Sequence, residues 1–263
     1  MKIAIIGAGA MGGATVEGLL KCAEFQNNNI TVADPSQQVI DSFAEKGVSV
    51  TTDNSAAIEG ADVVAVFVKP WLVESVLSEL KPALDYKRQM LIVVAAGVGS
   101  EQINTWLAKA DGSLPTLFLA IPNIAIAHKA SMTFLVPVGA TPEQTAQIRQ
   151  LFDLVGQTIV TEERLLAAGT TLASCGIAYA MRYIRASVEG GVEIGFKAKD
   201  AEQIVLQTVK GAVELLQATG EHPEAAIDKV TTPGGVTIRG LNEMEHAGFT
   251  SAVVRGLKAG LKS

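Results

Sequence analysis

The sequence contains few cysteines, few aromatic residues and no excess of basic charge. Only Cys22 and Cys175 occur among 263 residues, too few for a disulfide framework, and neither belongs to a CxxC pair, so a reducing cytoplasm is expected. The 21 basic and 27 acidic residues are intermixed and give a formal net charge of -6, which disfavours nucleic-acid binding. Aromatic residues make up 5% of the chain against 25 glycines, a balance that favours tight turns and close helix packing.

Long hydrophobic runs are also missing. The longest apolar stretches, residues 61–68 and 90–98, fall far short of the roughly 20 residues that cross a bilayer, so neither a transmembrane segment nor a membrane partner is expected. Glycines interrupt the first apolar run early, and a signal peptide is therefore not expected either. The hydrophobic content of 48% still allows a sizeable core, which fits an α/β enzyme.

The hydrophobic pattern changes character along the chain. Strands are predicted at residues 2–6, 30–33, 63–68, 91–95, 116–120 and 132–136, with a first helix over 11–23, and together they indicate parallel strands covered by helices. A short run, residues 158–160, follows before the pattern becomes helical. Later segments have helical periodicity at residues 164–188, 200–219, 223–230, 236–246 and from 250 onward. Gly190 and Gly220 are expected to end the two long helices, and Asp200 with Gln203 to cap the second. We therefore predict two domains, residues 1–161 and an all-helical domain of residues 162–263.

A glycine-rich motif, Gly7-Ala8-Gly9-Ala10-Met11-Gly12, follows the first predicted strand and opens the first predicted helix. In that context Gly7 allows the tight turn, Gly9 lets the backbone approach a pyrophosphate, and Gly12 permits close packing of helix and strand. The N-terminus of the helix then faces an anion. The motif predicts an α/β fold with an N-terminal Rossmann-type dinucleotide-binding domain. A glycine-rich turn that serves packing alone is the alternative.

Asp34 follows the second predicted strand, where an acidic side chain can bind the adenosine ribose 2′-hydroxyl and favour NAD. The following Pro35 and Ser36 also fit an ordinary Asp-Pro turn. No arginine stands nearby to receive a 2′-phosphate. Both interpretations of Asp34 remain open, and so does the choice between NADH and NADPH.

Several further segments, taken in order, resemble the pyrroline-5-carboxylate reductase family, and the resemblance runs essentially from end to end. Val68-Lys69-Pro70 matches a V-K-P segment whose backbone lies along the cofactor, and Ala95-Ala96-Gly97-Val98 matches an A-A-G-V segment beside the nicotinamide. Pro122 and Asn123 match the family's M-P-N-T-P segment, here without its threonine and second proline. Asn54 matches an asparagine that meets the adenosine ribose.

The glycine motif and the resemblance together imply NADP(H) as the cofactor, with NAD(H) as the second candidate. The implied cofactor-binding residues are Gly7, Gly9, Ala10, Met11, Gly12, Asp34, Asn54, Val68, Lys69, Pro70, Ala96, Gly97 and Asn123.

Residues 228–238, DKVTTPGGVTI, resemble the family's V-[ST]-[ST]-P-G-G-x-T pattern. Pro-Gly-Gly before a helix frees backbone N–H groups in a concave turn, and the helix adds its positive end, so a carboxylate can bind without a basic side chain. A loop with a plain helix cap is the alternative. The implied substrate-binding residues are Val230, Thr232, Pro233, Gly234, Gly235 and Thr237, the last of which is the family's polar catalytic contact.

The resemblance implies reduction of 1-pyrroline-5-carboxylate to L-proline, the last step of proline synthesis, by hydride transfer from NAD(P)H to the C=N carbon. The Thr237 hydroxyl would orient the imine nitrogen and relay its proton. The family also pairs its C-terminal helices into homodimers or larger assemblies, with the loop around Pro233 against the nucleotide half of a neighbouring chain. The helix predicted over 164–188 is apolar nearly all round in its centre, which favours burial against a partner.

The family's S-G-S-G-P-A-Y segment is matched only at Gly176, Ala178 and Tyr179. The proline is absent, and Cys175 replaces a small hydroxyl residue; we expect close helix packing here and a buried thiol. Three histidines, at positions 128, 222 and 246, lack metal-ligand spacing, and no metal site is expected.

Two other functions are the alternatives for this sequence. A β-hydroxyacid dehydrogenase would carry G-x-x-x-N-x-x-K on its long helix, but from Gly176 the chain has Ala180 and Tyr183 at the last two positions. A non-catalytic NAD(P)-binding regulator would not need the substrate loop, so the intact residues 233–235 and Thr237 argue against it.

Overall fold

The computed structural model describes residues 1–25 and 27–261 and contains two compact units, residues 1–174 and residues 175 onward. Within the described ranges, no helix is both long and apolar enough to cross a membrane. The domain boundary expected near residue 162 stays a prediction.

An eight-stranded sheet forms the centre of the first unit, in the order β3-β2-β1-β4-β5-β6-β7-β8. The strands are β1 (Ile3–Ile6), β2 (Ile30–Ala33), β3 (Ser49–Thr51), β4 (Val63–Val66), β5 (Met90–Val93), β6 (Thr116–Ile121), β7 (Ser131–Val138) and β8 (Gly156–Val160). The strand order reverses direction between β1 and β4, which are parallel neighbours. Ligands of such sheets bind outside the carboxyl ends of the strands at this reversal.

Both faces of the sheet are buried, which explains why its strands are continuous apolar runs rather than alternating ones. In β1, Ile3 and Ile5 belong to one core layer, and Ala4 and Ile6 to the other. Helices α1, α2 and α6 contribute to the first layer, and α3, α4 and α5 to the second. The helices of this unit are α1 (Ala10–Leu19), α2 (Gln37–Ala44), α3 (Asn54–Ala57), α4 (Val73–Leu80), α5 (Ser100–Leu107), α6 (Pro142–Asp153) and α7 (Leu166–Gly169).

One prediction about the sheet is wrong, because β7 runs antiparallel to β6. The connection between them, residues 122–130, holds a short 3-10 helix, Ile124–His128. A parallel crossover needs about a dozen residues or more. The chain therefore turns back beside β6 instead of crossing over the sheet.

The boundaries of the first elements follow the sequence closely. β2 spans the predicted residues, whereas the first helix ends at Leu19 instead of reaching residue 23. Beyond it the backbone tightens, since the N–H groups of Lys21 and Cys22 donate to carbonyls three residues earlier rather than four. The short strand β3 was not predicted.

The single helix predicted over residues 164–188 is divided into four pieces. A 3-10 turn, Glu163–Leu165, precedes α7, and a π-helical segment, Thr170–Cys175, follows it before α8 begins. At the end of α7, a Cβ on Gly169 would lie 2.8 Å from ring atoms of Phe134, so the strand and the helix approach through a glycine. A π segment adds residues to a turn without changing composition, so periodicity alone does not reveal it.

The second unit consists of helices. They are α8 (Gly176–Glu193), α9 (Ala198–Thr219), α10 (Pro223–Lys229), α11 (Val236–His246) and α12 (Phe249–Ala259). The bounds of α11 are those predicted.

Two expectations about the ends of these helices are wrong, and one is confirmed. Helix α8 continues past Gly190 to Glu193, and Gly191 allows close packing, since a Cβ there would lie 3.0 Å from the Ala201 methyl. Helix α9 begins at Ala198 with Lys197 as its N-cap, so Asp200 lies in the first turn and complements the helix dipole instead of capping it. Gly220 ends α9 in the left-handed conformation, with φ of 64°.

Ala201 is the one fully buried residue among the described residues of the second unit. Large apolar side chains are exposed on α8, α9, α11 and α12 in the single chain. An amphipathic helix normally buries its apolar face, so these exposed apolar side chains require another surface to cover them.

Candidate active site

The turn between β1 and α1 is closed by steric contact. Gly7 has φ of 86°, and a Cβ on it would lie 2.7 Å from the Phe67 carbonyl oxygen, beyond the end of β4. On Gly12, a Cβ would lie 2.0 Å from the Gly7 carbonyl oxygen. Neither position can carry a side chain without moving the backbone.

Gly9 differs from its two neighbours in the motif. It is the N-cap of α1 with φ of -64°, and a Cβ on it would meet nothing within 4 Å. No side chain caps this helix, and its first turn carries no acidic residue. The backbone N–H groups at the start of α1 are thus open to an anion that approaches along the side where Gly9 leaves space. This arrangement fits a pyrophosphate.

A cleft of about 460 Å³ lies beside this turn, within the volume range of about 300–1,000 Å³ that small-molecule sites occupy. Eight of the predicted cofactor residues line it: Gly7, Gly9, Ala10, Met11, Asp34, Asn54, Val68 and Lys69. Seven further residues that were not predicted from the sequence also line it: Ile6, Pro35, Thr52, Phe67, Leu72, Val76 and Val94. Several of the missed residues, including Ile6, Thr52, Phe67 and Val94, lie at or just beyond strand ends, a signal that more exact strand boundaries would have supplied.

The remaining predicted cofactor residues do not line this cleft. Gly12 lies under the turn, and Pro70 begins a 3-10 helix after β4. Ala96 and Gly97 form the turn after β5, where Gly97 has φ of 82°. Asn123 follows β6 and is buried. These last three residues stand beyond β5 and β6, on the opposite side of β1 from Asp34.

Asp34 is a buried carboxylate, 8% exposed, at the end of β2. Its Oδ2 accepts the Ala8 N–H at 2.8 Å and its Oδ1 accepts the Ser36 N–H at 2.9 Å. The first bond ties the glycine-rich turn to β2, and the second is the Asp-Pro turn interaction. Each carboxylate oxygen can accept more than one hydrogen bond, so the ribose interpretation of Asp34 stays open beside the turn interpretation.

Asn54 is the first residue of α3, and its Nδ2 donates to Glu79 Oε2 at 3.1 Å. The carboxylate of Glu79 on α4 therefore holds the amide of a cleft residue, a contact that was not predicted from the sequence. Lys69 is exposed at the cleft edge. Among the described residues that line the cleft, Asp34 and Lys69 carry the charges.

Asn123 is held from two directions. Its Oδ1 accepts the Ala125 N–H at 3.1 Å, and its own N–H donates to the buried Ser131 hydroxyl, also at 3.1 Å. Ser131 Oγ lies 3.1 Å from Thr133 Oγ1 on the same face of β7. The turn after β6 thus rests on a buried pair of hydroxyl groups.

The predicted substrate loop in the second unit is a closed turn. The Gly235 N–H donates to the Thr232 carbonyl at 2.9 Å across Pro233 and Gly234, and Gly234 has φ of 69°, as the third position of a type II turn requires. Val230, just before the turn, is largely exposed.

Helix α11 follows this turn, with Gly235 as its N-cap and no side-chain cap. Thr237 is exposed in the first turn of that helix, where no acidic residue occurs. The loop therefore presents backbone N–H groups and the Thr237 hydroxyl in the same short stretch. This combination suits a carboxylate ligand with a neighbouring polar atom.

The two cysteines lie in different surroundings. Cys22 is buried, and burial raises the pKa of its thiol although the Lys129 charge acts in the opposite direction. Cys175 is half-buried at the end of the π-helical segment, which corrects the expectation of a fully buried thiol. Its neighbour Ser174 donates through its hydroxyl to the Pro122 carbonyl at 2.8 Å.

The described residues contain no group of three His, Cys, Asp or Glu side chains placed to hold a metal ion. His222 caps α10 by accepting the Glu224 N–H through Nδ1. His246 Nδ1 lies 3.8 Å from Glu243 on the surface of α11.

Two family models match this chain, one in its N-terminal part and one in its C-terminal part. A family model described as pyrroline-5-carboxylate reductase dimerisation matches residues 163–263, and one described as NADP oxidoreductase, coenzyme F420-dependent, matches residues 2–97. A pyrroline-5-carboxylate reductase of Methanosarcina acetivorans is 34% identical over 260 residues, covering 97% of this chain and 94% of the relative. The chain belongs to the pyrroline-5-carboxylate reductase family.

Other members of the pyrroline-5-carboxylate reductase family extend the comparison. Pyrroline-5-carboxylate reductase 1 of Dictyostelium discoideum is 37% identical over 97% of this chain, although the chain spans about half of that protein, 48%. A solved structure of the enzyme from Coxiella burnetii has a TM-score of 0.88 at 30% identity and covers 99% of this chain and 96% of that one. The predicted family and the predicted fold class are confirmed.

The open space at Gly9 makes one substitution a direct test of the dinucleotide site. We expect Gly9→Val to raise the Kd for NADPH and NADH about 10- to 100-fold, the loss of roughly one hydrogen bond to a charged group. Because the side chain would project into the cleft, the unfolding temperature should stay nearly unchanged. Titration of nicotinamide fluorescence and thermal unfolding measure the two effects.

Gly12→Ala is the matched control, since its Cβ would strike the Gly7 carbonyl inside the fold. That variant should unfold at a lower temperature. Unaltered dinucleotide affinity in a folded Gly9→Val protein would contradict the assignment of the glycine-rich turn.

Proposed function

We propose that this chain is a pyrroline-5-carboxylate reductase, an oxidoreductase that reduces the C=N bond of 1-pyrroline-5-carboxylate to give L-proline in proline biosynthesis. The similarity to curated pyrroline-5-carboxylate reductases over 97% of the chain carries this proposal. The closed Pro-Gly-Gly turn with Thr237 beside it supports the proposal, since a non-catalytic dinucleotide-binding protein would have no use for that turn.

The proposed cofactor is NADP(H), with NAD(H) as the second candidate. The family model matched by residues 2–97 is described as an NADP oxidoreductase, and the turn before α1 fits a pyrophosphate. When bound, the dihydronicotinamide would supply the hydride. The chain's own residues would bind the pyrophosphate through backbone N–H groups at Gly9, Ala10 and Met11. Asp34 and Asn54 would lie on the adenosine side of the cleft, and Ala96, Gly97 and Asn123 on the nicotinamide side.

The proposed substrate site is the loop before α11. The turn across residues 232–235 and the N-terminus of α11 would bind the substrate carboxylate, with Val230 at its edge. The Thr237 hydroxyl would hydrogen-bond the ring nitrogen and, once hydride has added to the protonated imine carbon, relay a proton from solvent to the resulting amine nitrogen. No nucleophile is needed, because the protonated imine is already electrophilic.

We further propose that the chain works as a homodimer, or a larger assembly of dimers, built through residues 162–263. The family model matched by residues 163–263 is described as a dimerisation region, and Ala201 alone is buried among the described residues from 175 onward. A helical unit with so little interior cannot be stable without further apolar burial.

The free thiols Cys22 and Cys175 suit a reducing cytoplasm.

Initial rates decide between the proposed activity and its rivals. Oxidation of NADPH and of NADH should depend on 1-pyrroline-5-carboxylate, with no comparable rate when a β-hydroxy acid is offered with NADP⁺ or NAD⁺. Cofactor binding without imine-dependent oxidation would instead indicate a dinucleotide-binding regulator.

Thr237→Ala is expected to lower kcat with the imine about 10- to 100-fold, which corresponds to one hydrogen bond to a charged group. Dinucleotide affinity should be nearly unchanged, because Thr237 lies outside the glycine-rich turn. Thr237→Ser keeps the hydroxyl and should retain most of the rate. Equal turnover of the alanine variant and the wild type would remove Thr237 from the catalytic contact.

A mixture of two impaired variants, assayed at a cofactor concentration too low to saturate Gly9→Val, tests whether the site is shared between chains. Gly9→Val and Thr237→Ala, unfolded and refolded together, should regain up to about a quarter of the wild-type activity, since half of randomly paired dimers are mixed and each has one intact combined site. Each variant refolded alone is the control. An active monomer in sedimentation, or no regained activity in a proven mixed dimer, would reject the shared site.

A further inference from the structure

Glu163 makes a contact that lies outside both the glycine-rich turn and the proposed substrate loop. Its carboxylate accepts the backbone N–H of Ser100 through Oε1 at 2.8 Å, and it also accepts the Ser100 hydroxyl through Oε2. The two residues are 63 positions apart. Glu163 begins the short 3-10 turn after β8, whereas Ser100 is the first residue of α5.

The contact replaces a missing cap. The N-cap of α5 is Gly99, which has no side chain to accept the first N–H groups of the helix. A Cβ on Gly99 would lie 3.0 Å from Glu163 Oε1, so the glycine leaves room for the carboxylate to approach. A negative charge at this position also complements the helix dipole.

The segment that Glu163 anchors is the loop after β5, residues 95–99. This loop leaves the carboxyl end of β5, on the side of β1 opposite to Asp34 and Asn54. A dinucleotide that crosses the strand-order reversal with its adenosine over β2 places its other end over β4 and β5. The loop therefore borders the reactive half of the proposed cofactor site.

Ala95 and Val98 pack partly against the core, but few backbone hydrogen bonds among the described residues fix the conformation of this loop. Val94 N–H pairs with the Val66 carbonyl, and the next bond inside the loop, from the Val98 N–H to the Ala95 carbonyl, is long at 3.5 Å. Gly97 is exposed with φ of 82°, and a Cβ on it would meet nothing within 4 Å. After the bond at Val94, the bond from the Ser100 N–H to Glu163 is thus the next short hydrogen bond along the chain.

The same stretch of chain reaches the neighbouring turn. Eleven residues after Glu163, at the end of the π-helical segment, the Ser174 hydroxyl donates to the Pro122 carbonyl beyond β6. Residues 163–174 therefore contact the turns after both β5 and β6, which flank the reactive half of the cofactor site.

We propose that Glu163 is a positioning residue for hydride transfer, which fixes the loop of residues 95–99 beside the nicotinamide by capping α5 across the fold. It touches neither cofactor nor substrate and acts through Ser100. The inference rests on the proposed function, because it assumes that a nicotinamide lies beside that loop.

Three variants separate this role from simple stabilisation. Glu163→Ala removes both bonds. Glu163→Gln preserves them, since its amide oxygen accepts the Ser100 N–H and its amide N–H donates to the hydroxyl. Glu162→Ala is the matched control, because Glu162 is exposed and pairs only with the adjacent Arg164 among the described contacts.

The first measurement uses the enzyme without cofactor. Hydrogen exchange of the backbone amides at residues 100–103 should be faster in Glu163→Ala than in the wild type, and unchanged in Glu163→Gln and Glu162→Ala. Equal exchange in all four proteins would overturn the capping role whatever the reaction is.

The second measurement uses the loaded enzyme. For Glu163→Ala we expect kcat to fall about tenfold or more, the scale of a misplacement near 1 Å, while the Kd for NADPH changes less than about twofold. The anisotropy of the bound nicotinamide fluorescence should fall, and the deuterium isotope effect with 4-deuterated NADPH should rise. Glu163→Gln should recover most of the rate.

The outcomes are distinguishable from failure of the proposed function. A wild type that does not reduce the imine rejects that function, and the exchange and anisotropy measurements then still decide whether Glu163 orders the loop and the ring. An active wild type with unchanged kcat, isotope effect and anisotropy in Glu163→Ala would overturn the inference. A Glu163→Gln variant as impaired as the alanine variant would also overturn it.

Discussion

The close approach of backbone to backbone at the turn between β1 and α1 is the constraint on which the site depends. A Cβ on Gly12 would lie 2.0 Å from the Gly7 carbonyl oxygen, and a Cβ on Gly7 would lie 2.7 Å from the Phe67 carbonyl oxygen, so the turn is packed tightly between α1 and the end of β4. Asp34 holds it from the β2 side through the Ala8 N–H. With the protein side filled, the first N–H groups of α1 can face only the cleft, in the direction that Gly9 leaves open.

Both proposed binding sites rely on backbone dipoles more than on charged side chains. The chain carries a formal net charge of -6, yet its proposed ligands are a dinucleotide and a carboxylate. Lys69 is the single cation among the described residues that line the cleft, and the turn across residues 232–235 contains none. Uncapped helix N-termini at Gly9 and Gly235 supply the positive potential instead. Such a field acts within the first turn of a helix, so it selects a ligand that fits closely and does little to attract anions from a distance.

Local signals in the sequence predicted the parts of the fold that depend on local physics. Strand β2 and helix α11 have the predicted bounds. The apolar run of β2 and the Pro-Gly-Gly segment before α11 are signals that lie within a few residues of the ends they determine. The direction of β7 depends on the length of the connection before it, and the π-helical break in the helix predicted over 164–188 follows directly after Gly169, which packs closely against Phe134 on β7. The bond from Glu163 to Ser100 and that from Asn54 to Glu79 join residues far apart in sequence. No periodicity or motif encodes such contacts.

The stability of the second unit, the helical half from residue 175 onward, depends on whether its exposed apolar surface is covered. Among its described residues only Ala201 is fully buried, while Val236 beside Thr237 is 77% exposed. A hydrophobic surface of this kind contributes to stability only when another surface covers it, so association and folding of this half would be linked, and its stability would depend on protein concentration. Residues 163–174 belong to the stretch matched by the dimerisation model and also anchor the turns after β5 and β6. The chain therefore passes through the segment that holds these turns immediately before it enters the helices with exposed apolar faces.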